Sequence, residues 1–358
     1  MSVESQIRKL IEKKSEIDIA TFMETAMSLD ANAYYKSTQP LGEDADFITA
    51  PEISQMFGEI IGIWVFDVWQ KLGCPTNLNL VEIGPGRGVL MRDLLNGTNK
   101  ASEFQQSLNI YLLDINPILK KIQQQNLLQS HSNINWIDNL SNLPQSPTIF
   151  IANEFFDALP IHQYVKEKNS WFENVISVKH DNNQLFFKRK PLVHDFSDHL
   201  SLEHPNALDG SVIEEHKEGA KWMQEIVEII ERNKGAALII DYGYDIDPKD
   251  RKPTQYNSTL QGVKNHKYHP ILEDIGSTDI SCHVDFHLLK KITQMRKIQI
   301  IKTIDQYNFL KNFGIDIRLQ SLKKQNPHLS QILDNQYHRL TSKIQMGSLF
   351  KALIATQL

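Results

Sequence analysis

Residues 77–90 read N-L-N-L-V-E-I-G-P-G-R-G-V-L, and this stretch decides the fold. Leu78–Ile83 is an apolar run rich in branched residues, the pattern of a strand buried in a parallel sheet. Three glycines follow at every second position, Gly84, Gly86 and Gly88. Val89, Leu90, Leu94 and Leu95 then recur at helical spacing, so a helix starts behind them. Strand, glycine turn and helix together let the backbone approach a polar ligand closely and offer it helix N-terminal N–H groups. The spacing excludes two nucleotide loops. A dinucleotide fingerprint is G-x-G-x-x-G, and here the third glycine comes one residue early, with Val89 in its place. A phosphate-binding G-x-x-x-x-G-K-[ST] loop needs a lysine that is missing. The bland alternative is a glycine turn that holds no ligand.

What remains is [DE]-x-G-x-G-x-G, with Glu82 two residues before the first glycine. This resembles the first motif of S-adenosylmethionine (SAM) methyltransferases on the Rossmann-like fold. The expected cofactor contacts are Glu82, Gly84, Pro85, Gly86 and Gly88. The glycines would lie against the methionine part, and the carboxylate would orient the loop or accept from the ammonium.

The chain has 358 residues, 41% hydrophobic and 23% charged, ordinary for a globular protein with a sizeable core. A net charge of -5 argues against a general nucleic-acid binder. Cys74 and Cys282 form no framework, so a reducing compartment is expected, and the Asn-, Lys- and Ile-rich composition suggests a bacterial cytoplasm. A mitochondrial matrix location would require the first helix to be a processed remnant. No apolar run approaches a membrane span; the most hydrophobic, residues 53–68, is broken by Glu59 and Asp67.

Helices are expected at 3–14 and 18–29. Thr49-Ala50-Pro51-Glu52 reads as a capping box opening one long helix that carries an apolar stripe from Ile53 to Val68. Strands follow at 78–83, 109–114, 134–137, 148–152 and 236–240, with helical patterns between several of them. Residues 161–192 read as a three-strand meander, and 211–234 as a short strand and a helix. Residues 245–258 read as a mobile loop and 284–295 as a helix. Strands at 298–304 and 349–355 are the expected antiparallel edge pair, with helices between them. The fold class is α/β: a Rossmann-like class I methyltransferase sheet with N-terminal helices, a β-meander insertion after strand four and a helical insertion near the C-terminus. The organisation read is 1–76, a helical region covering the cofactor site; 77–160, the SAM-binding half; 161–234, an insertion on the substrate side; and 235–358, the rest of the sheet.

In such a sheet ligands meet the carboxyl ends of strands. Asp114 ends the second strand, placed to accept both ribose hydroxyls of an adenosine. Asp138 follows the third strand and is placed for the adenine amino group, with Trp136 or Ile137 packing on the ring. The richest segment is Asn153-Glu154-Phe155-Phe156-Asp157, after the fourth strand. Methyl transfer from a sulfonium is an in-line displacement that needs positioning and a proton sink. A carboxylate pair suits a guanidinium, whose planar fork it accepts bidentately. Glu154, Asp157 and Asn153 are therefore the candidate catalytic residues, and Phe155 and Phe156 line the acceptor side. The structural alternative is that both acids cap the following turn. His283 and His287, four apart on an expected helix, lack the glutamate of a zinc-protease motif, and no metal is expected.

Longer stretches carry a sharper resemblance. They are D-F-I-T-A-P-E-I-S-Q-M-F-G-E over 46–59, V-E-I-G-P-G-R-G over 81–88 and A-N-E-F-F-D-A-L-P over 152–160. D-Y-G over 241–243, T-D-I over 278–280, H-V-D-F over 283–286 and M-G-S-L-F-K over 346–351 follow in order. The chain resembles the MidA-like methyltransferase family, whose mitochondrial member is a complex I assembly factor. The resemblance implies a SAM-dependent protein arginine methyltransferase. Its implied substrate is the 49-kDa-type subunit of complex I, modified to symmetric dimethylarginine. It also implies that 47–59, with Thr49 and Glu52, closes over the cofactor and that His266 lies near the acceptor. Ala45, Asn32-Ala33 and Asp114 stand where the family usually has Gly, His-Gly and Glu. The alternative function is a SAM-binding assembly chaperone without catalysis; an NAD-linked oxidoreductase is disfavoured by the glycine shift. The sequence leaves the oligomeric state open, a dimer included.

Overall fold

The computed structural model describes residues 2–27, 49–179 and 181–358. The expectations for 28–48, including Ala45, Phe47 and the start of the 47–59 segment, lie outside the described residues. The described chain forms two compact units. One comprises 2–27, 157–221 and 244–287; the other comprises 49–156, 222–243 and 288–358.

The second unit is built on seven strands: β1 (Leu78–Ile83), β2 (Leu108–Leu113), β3 (Ile134–Ile137), β4 (Thr148–Asn153), β5 (Gly235–Tyr244), β6 (Ile300–Asp305) and β7 (Phe350–Gln357). Their order is β6-β7-β5-β4-β1-β2-β3. Strands β1 to β5 pair parallel, and β7 runs antiparallel to both β5 and β6. The expected edge pair is thus present. All six residues of β1 and of β4 are buried, which explains their near-continuous apolar runs.

Helix α1 (Gln55–Lys71) packs on α2 (Val89–Gly97) through two glycines. A Cβ on Gly58 would stand 2.9 Å from the Leu90 carbonyl, and one on Gly62 would stand 2.8 Å from that of Leu94. The capping box is corrected here. Thr49 is the N-cap of a short helix, Ala50–Ile53, but its side chain makes no capping bond. Ser54, at φ -161, breaks the run and caps α1 instead. Buried Glu59 accepts two bonds from Arg318 of the helix Ile315–Gln325, at 2.5 and 2.6 Å.

The first unit contains Val3–Lys14 and Ile19–Met27, close to the helices expected. The meander is present as His162–Glu167, Ser170–Val178 and Leu185–Pro191. The helix His194–Glu203 and a small sheet of Gln261–Lys264, Lys267–His269 and Asp279–Ser281 were not read from the sequence. The stretch expected to be a mobile loop is packed. Arg251, 6% exposed, lies between the Tyr244 and Tyr256 rings at 4.7 and 4.6 Å and donates twice to the Gln255 carbonyl. Residues 284–295 are helical only over Phe286–Gln294, so His283 precedes the helix and does not share a face with His287.

Glu214 gathers this unit. Its buried carboxylate accepts from the Thr259 and Leu260 amides, from Gln163 and Ser258, and from the Thr259 hydroxyl. Glu214→Leu orphans those donors and is expected to destabilise the chain by about 3 kcal/mol. Denaturant unfolding measures the loss, and hydrogen exchange should localise it to 256–262. Unchanged protection there would show that the carboxylate does not anchor the segment.

Candidate active site

The register of the parallel strands assembles this site. Ile83 pairs with both Leu113 and Ala152, and Ile240 pairs with Asn153. The residues after β1, β2 and β4 therefore leave the sheet along one edge. There the Gly84 amide donates to the Leu113 carbonyl at 3.0 Å, and the Gly88 amide closes the turn onto the Pro85 carbonyl at 2.7 Å. Gly84, Gly86 and Gly88 all have positive φ, at 67, 52 and 76°. At Gly84 a Cβ would also meet the Phe155 ring at 3.0 Å. Only glycine combines this conformation with this approach.

Two carboxylates lie under the loop. Glu82 is 3% exposed, and its Oε2 has no hydrogen-bond partner among the described residues. Burial, and then the charge of Asp114, push its pKa up to about 8. Asp114 is also raised by burial, against the opposing pull of bonds from Asn116 and Gln123. The helix α3 (Pro117–Leu127), capped by the Asn116 side chain, holds these groups in place. Gln123 Nε2 donates to Asp114 Oδ2 and to the Gly86 carbonyl, both at 2.7 Å. Trp136 Nε1 donates to Gln123 Oε1 at 2.8 Å. Asn126 donates to the Arg87 carbonyl at 2.8 Å, and the Arg87 guanidinium stands 3.5 Å from Glu52. Sequence reasoning missed Gln123, Asn126 and Arg87. One signal was available: Leu119, Gln123 and Leu127 share a helix stripe, so a glutamine occupies a core position.

At the end of β4, Glu154 has φ 50°, an uncommon conformation for a residue with a side chain. Its Oε1 accepts from the Ala50 amide at 3.0 Å and from Asn153 Nδ2 at 3.1 Å. Thus the 49–53 segment is fastened to the strand end by Glu154. Phe155 stands edge-on to Trp222, with centroids 5.2 Å apart, and packs against Gly84. Phe156 is 1% exposed, and its amide donates to buried Asp241. Its ring is buried in the core. Asp138 is not drawn into this group: its side chain is 78% exposed and ion-paired with Lys120 at 2.6 Å. Trp136, one of two residues expected to pack on an adenine ring, donates its indole N–H to Gln123.

The other candidates belong to the first unit. Asp157 is 8% exposed, and its carbonyl accepts from the Cys282 amide at 3.0 Å. His266 lies with Asn265 at a hairpin tip, both at positive φ, as a two-residue turn of this hand requires. Asp18, His162 and Glu173 place potential ligand atoms within 4.8 Å of one another. Lys190 stands 3.8 Å from Glu173, and the His162 ring pairs with the same carboxylate at 3.1 Å, so the cluster reads as an ion-pair network.

The chemistry of the strand edge fits SAM. Its ammonium suits a buried carboxylate with an orphaned oxygen, Glu82; its ribose diol suits Asp114; and its methionine chain suits a turn whose three glycines have positive φ. When bound, SAM supplies a methyl group on a positively charged sulfur. Sheet order, glycine loop and paired acids define a class I SAM-dependent methyltransferase.

The comparisons identify the family. A family model described as "Putative S-adenosyl-L-methionine-dependent methyltransferase" matches residues 60–303. The chain is 32% identical to the "Protein arginine methyltransferase NDUFAF7 homolog, mitochondrial" of Drosophila melanogaster, over 98% of this chain and 84% of that one. It is 30% identical to the human "Protein arginine methyltransferase NDUFAF7, mitochondrial", over 95% and 80%. A crystal structure of a COG1565 superfamily member from Burkholderia thailandensis, bound to S-adenosyl-homocysteine, shares the fold with a TM-score of 0.88. It covers 99% of this chain and 92% of that one at 23% identity. The chain belongs to the MidA-like family of SAM-dependent methyltransferases.

Two outcomes test the site. Gly84→Val adds branches where φ is positive and Phe155 is in contact, and should weaken SAM binding about 100-fold or more in calorimetry. Near-normal affinity would remove the loop from the cofactor site. The second concerns Glu82. Because its pKa is raised, its contribution to stability is fully present below the ordinary value of 4.5 and is lost as pH rises through about 8. Between pH 5 and 8.5 the Tm of the ligand-free wild type should therefore fall relative to Glu82→Gln. Parallel curves would show that Glu82 holds no buried proton.

Proposed function

We propose that the chain methylates an arginine of a protein substrate. The proposed substrate is the 49-kDa-type subunit of respiratory complex I, modified to symmetric dimethylarginine during assembly. The observation that carries this reading is near full-length identity of 30–32% to proteins named as protein arginine methyltransferases. The acids that follow β4 supply compatible chemistry. A guanidinium is a poor nucleophile until one nitrogen is held in line and relieved of a proton. We assign proton acceptance to the carboxylates of Asp157 and Glu154, with Asn153 orienting Glu154. The assigned cofactor contacts are Glu82, Gly84, Pro85, Gly86, Gly88 and Asp114, with Thr49 and Glu52 in the covering segment. Phe155 and His266 are assigned to the acceptor side, and residues 161–234 to substrate docking.

The test is incubation of the purified chain with labelled SAM and the complex I subunit, followed by mass spectrometry of its arginines. Dimethylarginine should appear with the wild type and fall at least about 100-fold with Asp157→Asn, while SAM affinity holds. Subunit binding without methyl incorporation would replace catalysis with a chaperone role. Loss of SAM affinity in Asp157→Asn would move Asp157 to the cofactor site.

A further inference from the structure

We propose that Gln123 is a positioning residue that aims Asp114 at the ribose of the cofactor and locks this recognition to the shape of the glycine loop. The argument starts at Trp136. An indole N–H only donates, so the Gln123 atom it meets at 2.8 Å must be the carbonyl oxygen. This fixes which way the amide faces. Both hydrogens of Nε2 are then committed, one to Asp114 Oδ2 and one to the Gly86 carbonyl, each at 2.7 Å. Gln123 is fully buried, so water cannot substitute for these bonds. The other oxygen of Asp114 accepts from the Asn116 amide at 2.8 Å, so the carboxylate is gripped on both oxygens. A further backbone bond from Ile115 also favours its ionised form, and an ionised carboxylate only accepts, which is what the hydroxyls of a vicinal diol require of a partner. The neighbouring Gln124 and Gln125 are exposed and share none of this.

The inference rests on Asp114 facing the ribose. It does not rest on the acceptor, so it stands or falls separately from the arginine reading. Calorimetry is run with S-adenosylhomocysteine and with its 2′-deoxy analogue, on the wild type, Gln123→Met, Trp136→Phe and Gln124→Met. The wild type and Gln124→Met should prefer the ribose form by about tenfold or more. In Gln123→Met the ribose form should lose about 30-fold and the deoxy form only a few-fold, so the preference collapses. Trp136→Phe frees the amide to turn and should lower the preference part of the way. It carries the test if Gln123→Met does not fold. Equal weakening of both ligands in the variants, with the ratio kept, would make Gln123 a packing residue and overturn the proposal. A wild type without ribose preference would remove Asp114 from the ribose, and the proposal with it.

Discussion

Three parallel strands that end level with one another impose the constraint on which the site depends. Where β1, β2 and β4 stop together, backbone groups lose their ladder partners at one edge. A turn that reuses them must pass close to the neighbouring strand. The bond from the Gly84 amide to the Leu113 carbonyl is that reuse, and it brings the loop against β2. At Gly84 the turn then has no room for a side chain, and three of its five residues take positive φ. The same edge sets Glu82 and Asp114 near each other, so the approach of two acids follows from the strand register.

Two buried carboxylates side by side are costly, because each loses hydration and repels the other. The two acids resolve this differently. Asp114 is supplied with donors from Asn116 and Gln123, which favour its ionised form against burial. Glu82 keeps an oxygen with no partner among the described residues, and its pKa rises to about 8. Such an asymmetric pair would offer a cationic, hydroxyl-bearing ligand two distinct anchors. The donors come from α3 and from Asn116 that caps it, so the proposed cofactor recognition depends on how that helix packs.

Glu154 shows a different economy. As an acid after β4 it reads as chemistry, yet its carboxylate fastens the Ala50 amide while its backbone takes a left-handed conformation. Such strain persists where surrounding structure enforces it, and functional sites are where it gathers. Glu214 in the other unit is an acid whose whole capacity goes to local backbone and side chains.

The sequence by itself determined the strand, the three-glycine turn and the cofactor class, because backbone φ limits and strand ends leave marks in residue type and spacing. It also carried the order of the strands along the chain and the meander after strand four. It did not show that Ser54 breaks the helix expected from Thr49, that Phe156 is core, or that Asp138 faces solvent, since spacing does not record which side of an edge a residue takes. Gln123 was hidden in the run Gln123-Gln124-Gln125, where composition reads as solvated surface. Only helix phase, set by how α3 packs, makes one of the three a buried clamp. The identity of a contact is a property of two segments far apart in the chain. The tertiary structure alone decided which polar groups share a dry environment, and hence which of them must satisfy one another.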